Sequence, residues 1–429
     1  MTSSLDLALA EAADRFRRKR PKTAALHDRA RAVLPGGNTR SVLYTAPFPI
    51  RVERGEGARL FDIDGHAYLD FAGEYSAGLY GHSHPRIRAA VEEALRVGLN
   101  LGAHHTREVE LAEAVTRRFS LDLVRFTNSG TEAGMMAVAA ARAVTGRSGI
   151  LVMRGAYHGG TLSFGAGPDP VNAPFDCVMA ELNDVEGTRR LIAERAGDLA
   201  AAVVEPMMGG AGCLPAEPAF LRMLREECSH RGTVLIHDEV MTSRLHPGGL
   251  SARFGVEPDL KMLGKYIGGG VSFGAFGGRR EIMERFDPSR PDALPHAGTF
   301  NNNTVTMTAG LAGLTEVFTP AACAALNERG DRLRQALTGA FTEARVPMQV
   351  TGIGSLMTLH PLERPPAIPA ELKKADQRRR RLLFLDLLDQ GIFIAERGMI
   401  ALSLAIADED VAQLVGAVRR FAESRRELL

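Results

Sequence analysis

The chain has 429 residues, enough for two or three structural units around a large buried core. With 45% hydrophobic and 24% charged residues it has the composition of a globular protein, which excludes disordered and fibrous classes. The net charge of +1 leaves no electrostatic footprint for nucleic acid or an acidic membrane surface, so neither is expected as a partner.

Helical spacing covers residues 4–20 and 23–34 and stops at Pro35-Gly36-Gly37, a strong breaker. Asp6, Glu11 and Asp14 in the first helix argue against a transit peptide, and the stretch lacks the apolar core of a signal peptide. Arg40 follows the breaker in Asn38-Thr39-Arg40-Ser41. Pro47 and Pro49 then keep the chain extended up to Asp64-Gly65, a hairpin signal. Residues 1–70 are therefore expected to form an arm and a small sheet. From Phe71 glycines multiply, and Gly81-His82-Ser83-His84-Pro85 leads into a helix marked by Ile87, Val91 and Leu95. No third ligand stands at a recognisable spacing from His82 and His84, so they read as a turn of hydrogen-bonded imidazoles rather than a metal site.

Residues 71–318 change, from Leu121 onward, to short apolar runs alternating with helical periods. The runs at 123–126, 150–153, 201–204, 234–237 and 273–277 are candidate strands, with helices starting near Thr131, Glu186, Pro218 and Arg279. That alternation predicts an α/β fold with a mainly parallel sheet. Residues 319–429 are richer in helix, at 321–341 and 372–388, with short apolar runs at 349–350, 356–359 and 400–404, and predict a smaller α+β unit. Basic runs at 15–22 and 377–381 lie in helical patterns and read as solvated faces or a subunit contact. Cys177, Cys213, Cys228 and Cys323 lack the close pairing of a zinc or redox site, and no apolar run approaches the ~20 residues of a membrane span. A cytoplasmic protein is expected. Neither G-x-G-x-x-G nor a P-loop is present.

The polar residues at the predicted strand ends carry the chemistry. Thr127-Asn128-Ser129-Gly130-Thr131-Glu132 joins a strand to a helix, where backbone N–H groups and the Ser129 and Thr131 hydroxyls suit a phosphate; a plain N-cap box reads equally well. Tyr157 and His158 follow the next strand, and an aromatic ring there can lie over a flat heterocycle. Glu205 ends a third strand and Asp238 a fourth, running into Glu239-Val240. Lys265 sits in Gly264-Lys265-Tyr266-Ile267-Gly268-Gly269-Gly270, and Thr299 in Gly298-Thr299-Phe300. A lysine able to form a Schiff base and an aspartate for a pyridine nitrogen are the two protein groups that pyridoxal phosphate chemistry requires. Polar groups on four successive strand ends point to one shared ligand in one crevice.

Ser129-Gly130-Thr131, Tyr157-His158-Gly159, Asp238-Glu239-Val240, Lys265 with its following glycines, and Gly298-Thr299-Phe300 together resemble the class III aminotransferases over nearly the whole chain. Arg40-Ser41-Val42-Leu43, Ala46-Pro47-Phe48-Pro49, Met241-Thr242-Ser243-Arg244 and Ser272-Phe273-Gly274-Ala275-Phe276 look like the β-amino acid branch rather than the glutamate-1-semialdehyde aminomutases. The resemblance implies a fold type I, pyridoxal 5'-phosphate-dependent transferase. A large domain would carry the central sheet, and a small α+β domain would be built from the N- and C-terminal segments. It implies a homodimer with sites at the subunit interface. Lys265 would hold the cofactor as a Schiff base and Asp238 its ring nitrogen. Tyr157 would cover one ring face and Val240 the other. Ser129, Gly130 and Thr131 would take the phosphate, joined by Thr299 from the second subunit; His158 and Glu205 complete the cofactor set. Arg40 and Arg397 are the expected carboxylate ligands, since an arginine fork grips a carboxylate with two parallel hydrogen bonds. The reaction implied is ping-pong transfer of an amino group from a β-amino acid, of the aromatic β-phenylalanine type, to a keto acid such as 2-oxoglutarate or pyruvate. The rivals are the aminomutase reaction, which needs no external acceptor, and a non-catalytic cofactor-binding protein.

Overall fold

The computed structural model describes residues 3–99, 101–165 and 169–429. Its centre is a seven-stranded sheet. The spatial order is Leu123–Thr127, Gly274–Gly278, Leu260–Gly264, Val234–Asp238, Leu199–Val204, Gly149–Met153 and Asp176–Ala180, and only Gly274–Gly278 runs antiparallel to its neighbours. The inner strands are apolar along their length because helices cover both sheet faces: every residue of Leu199–Val204 and of Gly149–Met153 is buried. This is the expected α/β fold, with two strands more than the sequence patterns suggested.

Leu260–Gly264 escapes notice because Lys261 interrupts its apolar run. The lysine is nevertheless buried, its Nζ donating to the Phe119 carbonyl at 2.9 Å and lying 3.9 Å from Glu239. Asp176–Ala180 is an edge strand of mixed burial and carries too weak a pattern. Two long helices were also unmarked. Thr106–Phe119 buries Leu111, Val115 and Phe119 at i, i+4 and i+8. Thr304–Ala312 is apolar on most sides because it lies in the core, and it runs on into a π-helical turn at Gly313–Val317.

The N- and C-terminal segments share structure. Ile392–Phe393 pairs parallel with Ala67–Asp70, at the end of a four-stranded sheet that begins with Val52–Glu56 and continues through the predicted hairpin Arg59–Asp62/Ala67–Asp70. The first helix, Ser4–Lys19, is held to the helix Gln377–Asp389 by Arg15 to Asp386 (3.0 Å) and Asp389 (2.8 Å). A buried chain fixes the second helix, with Arg20 donating to the Tyr68 hydroxyl at 2.7 Å and Tyr68 to Asp62 at 2.6 Å. His82 meets Asp70 at 3.0 Å and His84 caps the helix Pro85–Val97, so both imidazoles are engaged in the turn as read. No single helix among the described residues is long and apolar enough to cross a membrane.

Candidate active site

Strand register places the candidate residues at one edge of the sheet. Asp238 ends its strand opposite Met262, and the next strand runs two residues further to Gly264 and then into Lys265. On the other side, Gly264 and Thr127 both pair with Gly274, so the Ser129 loop leaves the sheet at the same level as Lys265. Val204 pairs with His237, which puts Glu205 beside Asp238. Carboxyl ends of parallel strands are where open α/β sheets collect ligands.

Three buried groups form the floor. His158 Nδ1 lies 2.8 Å from Asp238 Oδ2, while Asp238 Oδ1 accepts the Val240 N–H at 3.0 Å. Glu205 accepts the N–H groups of Tyr157 (3.2 Å) and Gly209 (2.9 Å). Burial alone would depress the His158 imidazole, but the hydrogen bond and charge of Asp238 outweigh it and hold the ring above its ordinary range. Burial, reinforced by Asp238, pushes the Glu205 carboxyl up to about 7. A carboxyl raised from 4.5 in this way stabilises the fold fully below its unfolded value and loses that contribution as pH climbs through about 7. Glu205→Gln in the cofactor-free protein is therefore expected to flatten the stability profile between pH 5 and 8 and to raise the thermal midpoint at pH 8. Each unit of pKa shift is worth about tenfold in the folding equilibrium. Thermal melts across pH check this, and an unchanged slope would contradict it.

The helix Gly130–Thr145 starts at this edge. Ser129 is its N-cap, accepting the Glu132 N–H at 3.2 Å, so the capping reading of this segment holds. The cap leaves the anion reading open, because the Ser129 hydroxyl keeps a proton to donate and the Gly130 and Thr131 N–H groups have no intrahelical acceptor. Thr131 Oγ1 accepts the Gly160 N–H at 3.1 Å, joining this turn to the Tyr157-His158 loop. The three loops are in van der Waals contact. A Cβ on Gly130 would lie 3.0 Å from Val240 Cγ1, and one on Gly264 3.2 Å from the same atom. Tyr157 projects 51% exposed at the mouth.

Lys265 has a left-handed backbone, φ 55°. Burial lowers its ammonium below the usual lysine range, against the pull of the Asp238 and Glu205 carboxylates, and the nearby positive charges of Arg397 and Arg40 lower it further. A lysine so placed is a better nucleophile near neutral pH.

Arg40 and Arg397, 357 positions apart in the chain, meet at one side chain. The guanidinium carbons stand 6.0 Å and 4.8 Å from the centroid of the Tyr75 ring. Arg40 is paired with Glu74, and the Tyr75 hydroxyl donates to the Val42 carbonyl at 2.9 Å. Arg397 donates to Met399 Sδ at 3.2 Å rather than pairing with Glu396, whose 3.9 Å partner is Arg381. Glu74 and Tyr75 were not read from the sequence, where Gly73-Glu74-Tyr75-Ser76 is an ordinary loop. Thr299 is exposed, and its segment is tied to the Ser129 turn through Asn301 and Asn128 (2.9 Å).

Residues 43–421 match the family model described as "Aminotransferase class-III". The chain belongs to the class III aminotransferases. This class III aminotransferase is 48% identical to the β-phenylalanine transaminase of Variovorax paradoxus over 428 residues, 100% of the chain and 98% of the relative. It superposes on the crystal structure of a β-phenylalanine aminotransferase from Variovorax paradoxus with a TM-score of 0.98, over 99% of each chain. It is 38% identical to a glutamate-1-semialdehyde 2,1-aminomutase of Sorangium cellulosum (strain So ce56), over 93% of the chain and 95% of the relative. A transaminase with PLP bound matches at a TM-score of 0.87 and 36% identity, over 94% of this chain and 97% of that one. The aminotransferase thus has the fold type I architecture, a mixed central sheet with flanking helices.

Proposed function

We propose that this aminotransferase takes its amino group from an aromatic β-amino acid of the β-phenylalanine type and passes it to a keto acid such as 2-oxoglutarate or pyruvate, with pyridoxal 5'-phosphate as cofactor. The observation that carries the reading is the pair Arg40 and Arg397 on one tyrosine ring, both close enough to act on Lys265. Two carboxylate ligands serve a pocket that must take a donor and an acceptor of different shapes in turn. The likeness to the Variovorax enzyme over the full chain supports the choice of donor.

The donor set fits the cofactor: a helix N-terminus for a dianion, a buried carboxylate, a depressed lysine and an exposed aromatic ring meet in one crevice. When bound, pyridoxal 5'-phosphate supplies an electron sink that stabilises negative charge on the carbon bearing nitrogen. In this reading Asp238, oriented by His158, holds the ring nitrogen protonated, and Ser129, Gly130 and Thr131 hold the phosphate. Tyr157 and Val240 close the two ring faces, with Glu205 behind Tyr157. Lys265 Nζ would hold the cofactor and, when free, carry the proton between the reacting carbons, a positioned transfer typically worth ~10²–10⁴-fold. Arg40 takes the donor's carboxylate and Arg397 the distal carboxylate of the acceptor.

The working form is a homodimer in which Thr299 of a second copy reaches the phosphate. Leu95, Val97, Leu99, Leu101, Val109 and Phe300 are all exposed, and their segments abut, Thr304 Oγ1 donating to the Gly98 carbonyl at 2.6 Å. Such an apolar face favours burial against a partner. Residues 71–318 then form the large cofactor-binding unit, with 1–70 and 319–429 the arm and small unit, as the pairing of Ile392 with Leu69 supports. Four free thiols accord with a cytoplasmic protein.

Titrating the purified holoenzyme with racemic β-phenylalanine in the absence of keto acid is expected to bleach the absorption band near the visible edge, with recovery on adding 2-oxoglutarate. A band indifferent to this amine rules out the β-phenylalanine assignment. Turnover of the semialdehyde without any keto acid would identify the aminomutase reaction instead.

A further inference from the structure

Four consecutive residues beside the site, Gly73, Glu74, Tyr75 and Ser76, have left-handed backbones, with φ of 51°, 47°, 52° and 79°. Glycine accepts this conformation freely, but glutamate, tyrosine and serine do so only against a steric cost, and a run of them is rare. The surroundings impose it. Asp70 Oδ1 accepts the N–H groups of Ala72 and Gly73 (2.9 and 3.0 Å), and the Gly78 N–H closes onto the Gly73 carbonyl at 2.9 Å. The Ala401 carbonyl leaves no room for a Cβ at Gly73. Arg244, fully buried, donates to the Ser76 carbonyl at 3.3 Å while its other nitrogens bind Ser355 Oγ and the Leu402 carbonyl. Strain held this firmly next to a site points to the side chains it presents. Those side chains grip one object: Glu74 pairs with Arg40, Tyr75 lies beneath its guanidinium, and the Tyr75 hydroxyl binds the Val42 carbonyl two residues on.

We propose that Glu74 is a specificity-determining latch, an internal carboxylate that holds Arg40 in the free enzyme and is displaced when a substrate carboxylate arrives. The inference rests on the reading above that Arg40 binds carboxylates. The exposure of the pair sets the strength of the latch. The two side chains are 46% and 51% accessible, so water screens their attraction and a bidentate ligand can open it, which a buried pair would resist. The latch keeps Arg40 oriented before binding and taxes every ligand that needs it, so ligands with one weakly placed carboxylate are disfavoured. Opening it leaves Glu74 beside solvent, where a released carboxylate is readily hydrated. Tyr75 keeps the arginine from following the glutamate away.

The test measures the holoenzyme's KM and kcat for β-phenylalanine, together with the calorimetric Kd of 3-phenylpropanoate, in wild type, Glu74→Gln, Glu74→Asn and Arg40→Ala. Asparagine tolerates the left-handed backbone better than glutamate, so this variant guards against a folding artefact. Both Glu74 variants are expected to lower KM and Kd by about two- to fivefold, the scale of an exposed ion pair, with kcat little changed and the gain shrinking at high salt. Unchanged or higher KM and Kd in both, with Arg40→Ala weakening both ligands, overturns the latch and leaves the role of Arg40 intact. An Arg40→Ala enzyme that binds both ligands like wild type overturns the latch and the carboxylate reading together.

Discussion

Replacing Lys265 by alanine is expected to lower kcat by roughly 10²–10⁴-fold in both half-reactions, because the positioned proton carrier is lost along with the amine that anchors the cofactor. The effect belongs to the chemistry and not to folding. Burial disfavours the Lys265 ammonium, so removing it relieves a desolvation cost as well as a favourable interaction with Asp238 and Glu205. Single-turnover absorbance with β-phenylalanine reads the rate, and added methylamine, a small amine able to enter the vacated space, is expected to restore part of it. Full activity in the alanine variant would end the assignment of Lys265.

Asp238→Asn has the second largest expected effect. Asp238 is buried, pairs with His158 at 2.8 Å and accepts the Val240 N–H, so its charge is positioned on both oxygens. Asparagine keeps the shape and removes the charge. Breaking a buried charge pair on one side costs about 3–5 kcal/mol of stability, and losing the charge that would keep the ring nitrogen protonated through the reaction is expected to lower kcat by roughly two orders of magnitude, about 2.7 kcal/mol of barrier. A second readout is the pH dependence of the cofactor-free protein. The raised imidazole of His158 stabilises the fold fully below its unfolded value and loses that contribution as pH rises through its elevated folded value. In Asp238→Asn the support for the raised value is gone, and this alkaline loss should disappear from melts taken across pH 6 to 9. A variant with wild-type kcat and an unaltered profile would contradict both the role of Asp238 and the account of His158.

The parts of the site that could be read from the residues are those where local pattern and final structure agree. Val234–Asp238 is an apolar run ending in a carboxylate, and such a run is buried in a parallel sheet whatever else surrounds it. The same logic found Glu205 and the Ser129 turn. It failed for Leu260–Gly264, the strand that delivers Lys265, because a buried lysine is recognisable only once the Phe119 carbonyl that receives it is in place. It failed more completely for Glu74 and Tyr75. Their conformation opposes local preference and is imposed by Asp70, Ala401 and Arg244, groups that come from the same and distant parts of the chain. The meeting of Arg40 with Arg397 is likewise tertiary. Resemblance proposed both arginines for one pocket, whereas periodicity and spacing alone carry no information about a contact between positions 40 and 397.

The close contact among Gly130, Val240 and Gly264 divides the molecule's capacity to change. At the sheet edge, a Cβ on Gly130 or Gly264 would come within 3.0 or 3.2 Å of a Val240 methyl, so a larger residue at either glycine needs the valine to give way. The carboxylate side is made of long side chains, Arg40, Tyr75 and Arg397, whose charges are set for the substrate and whose tyrosine stands on a left-handed backbone, φ 52°. The two sides are therefore constrained in different ways, the first by space and the second by charge and backbone, so a combinatorial library spread evenly over the pocket would lose members to misassembly at one and to lost carboxylate binding at the other.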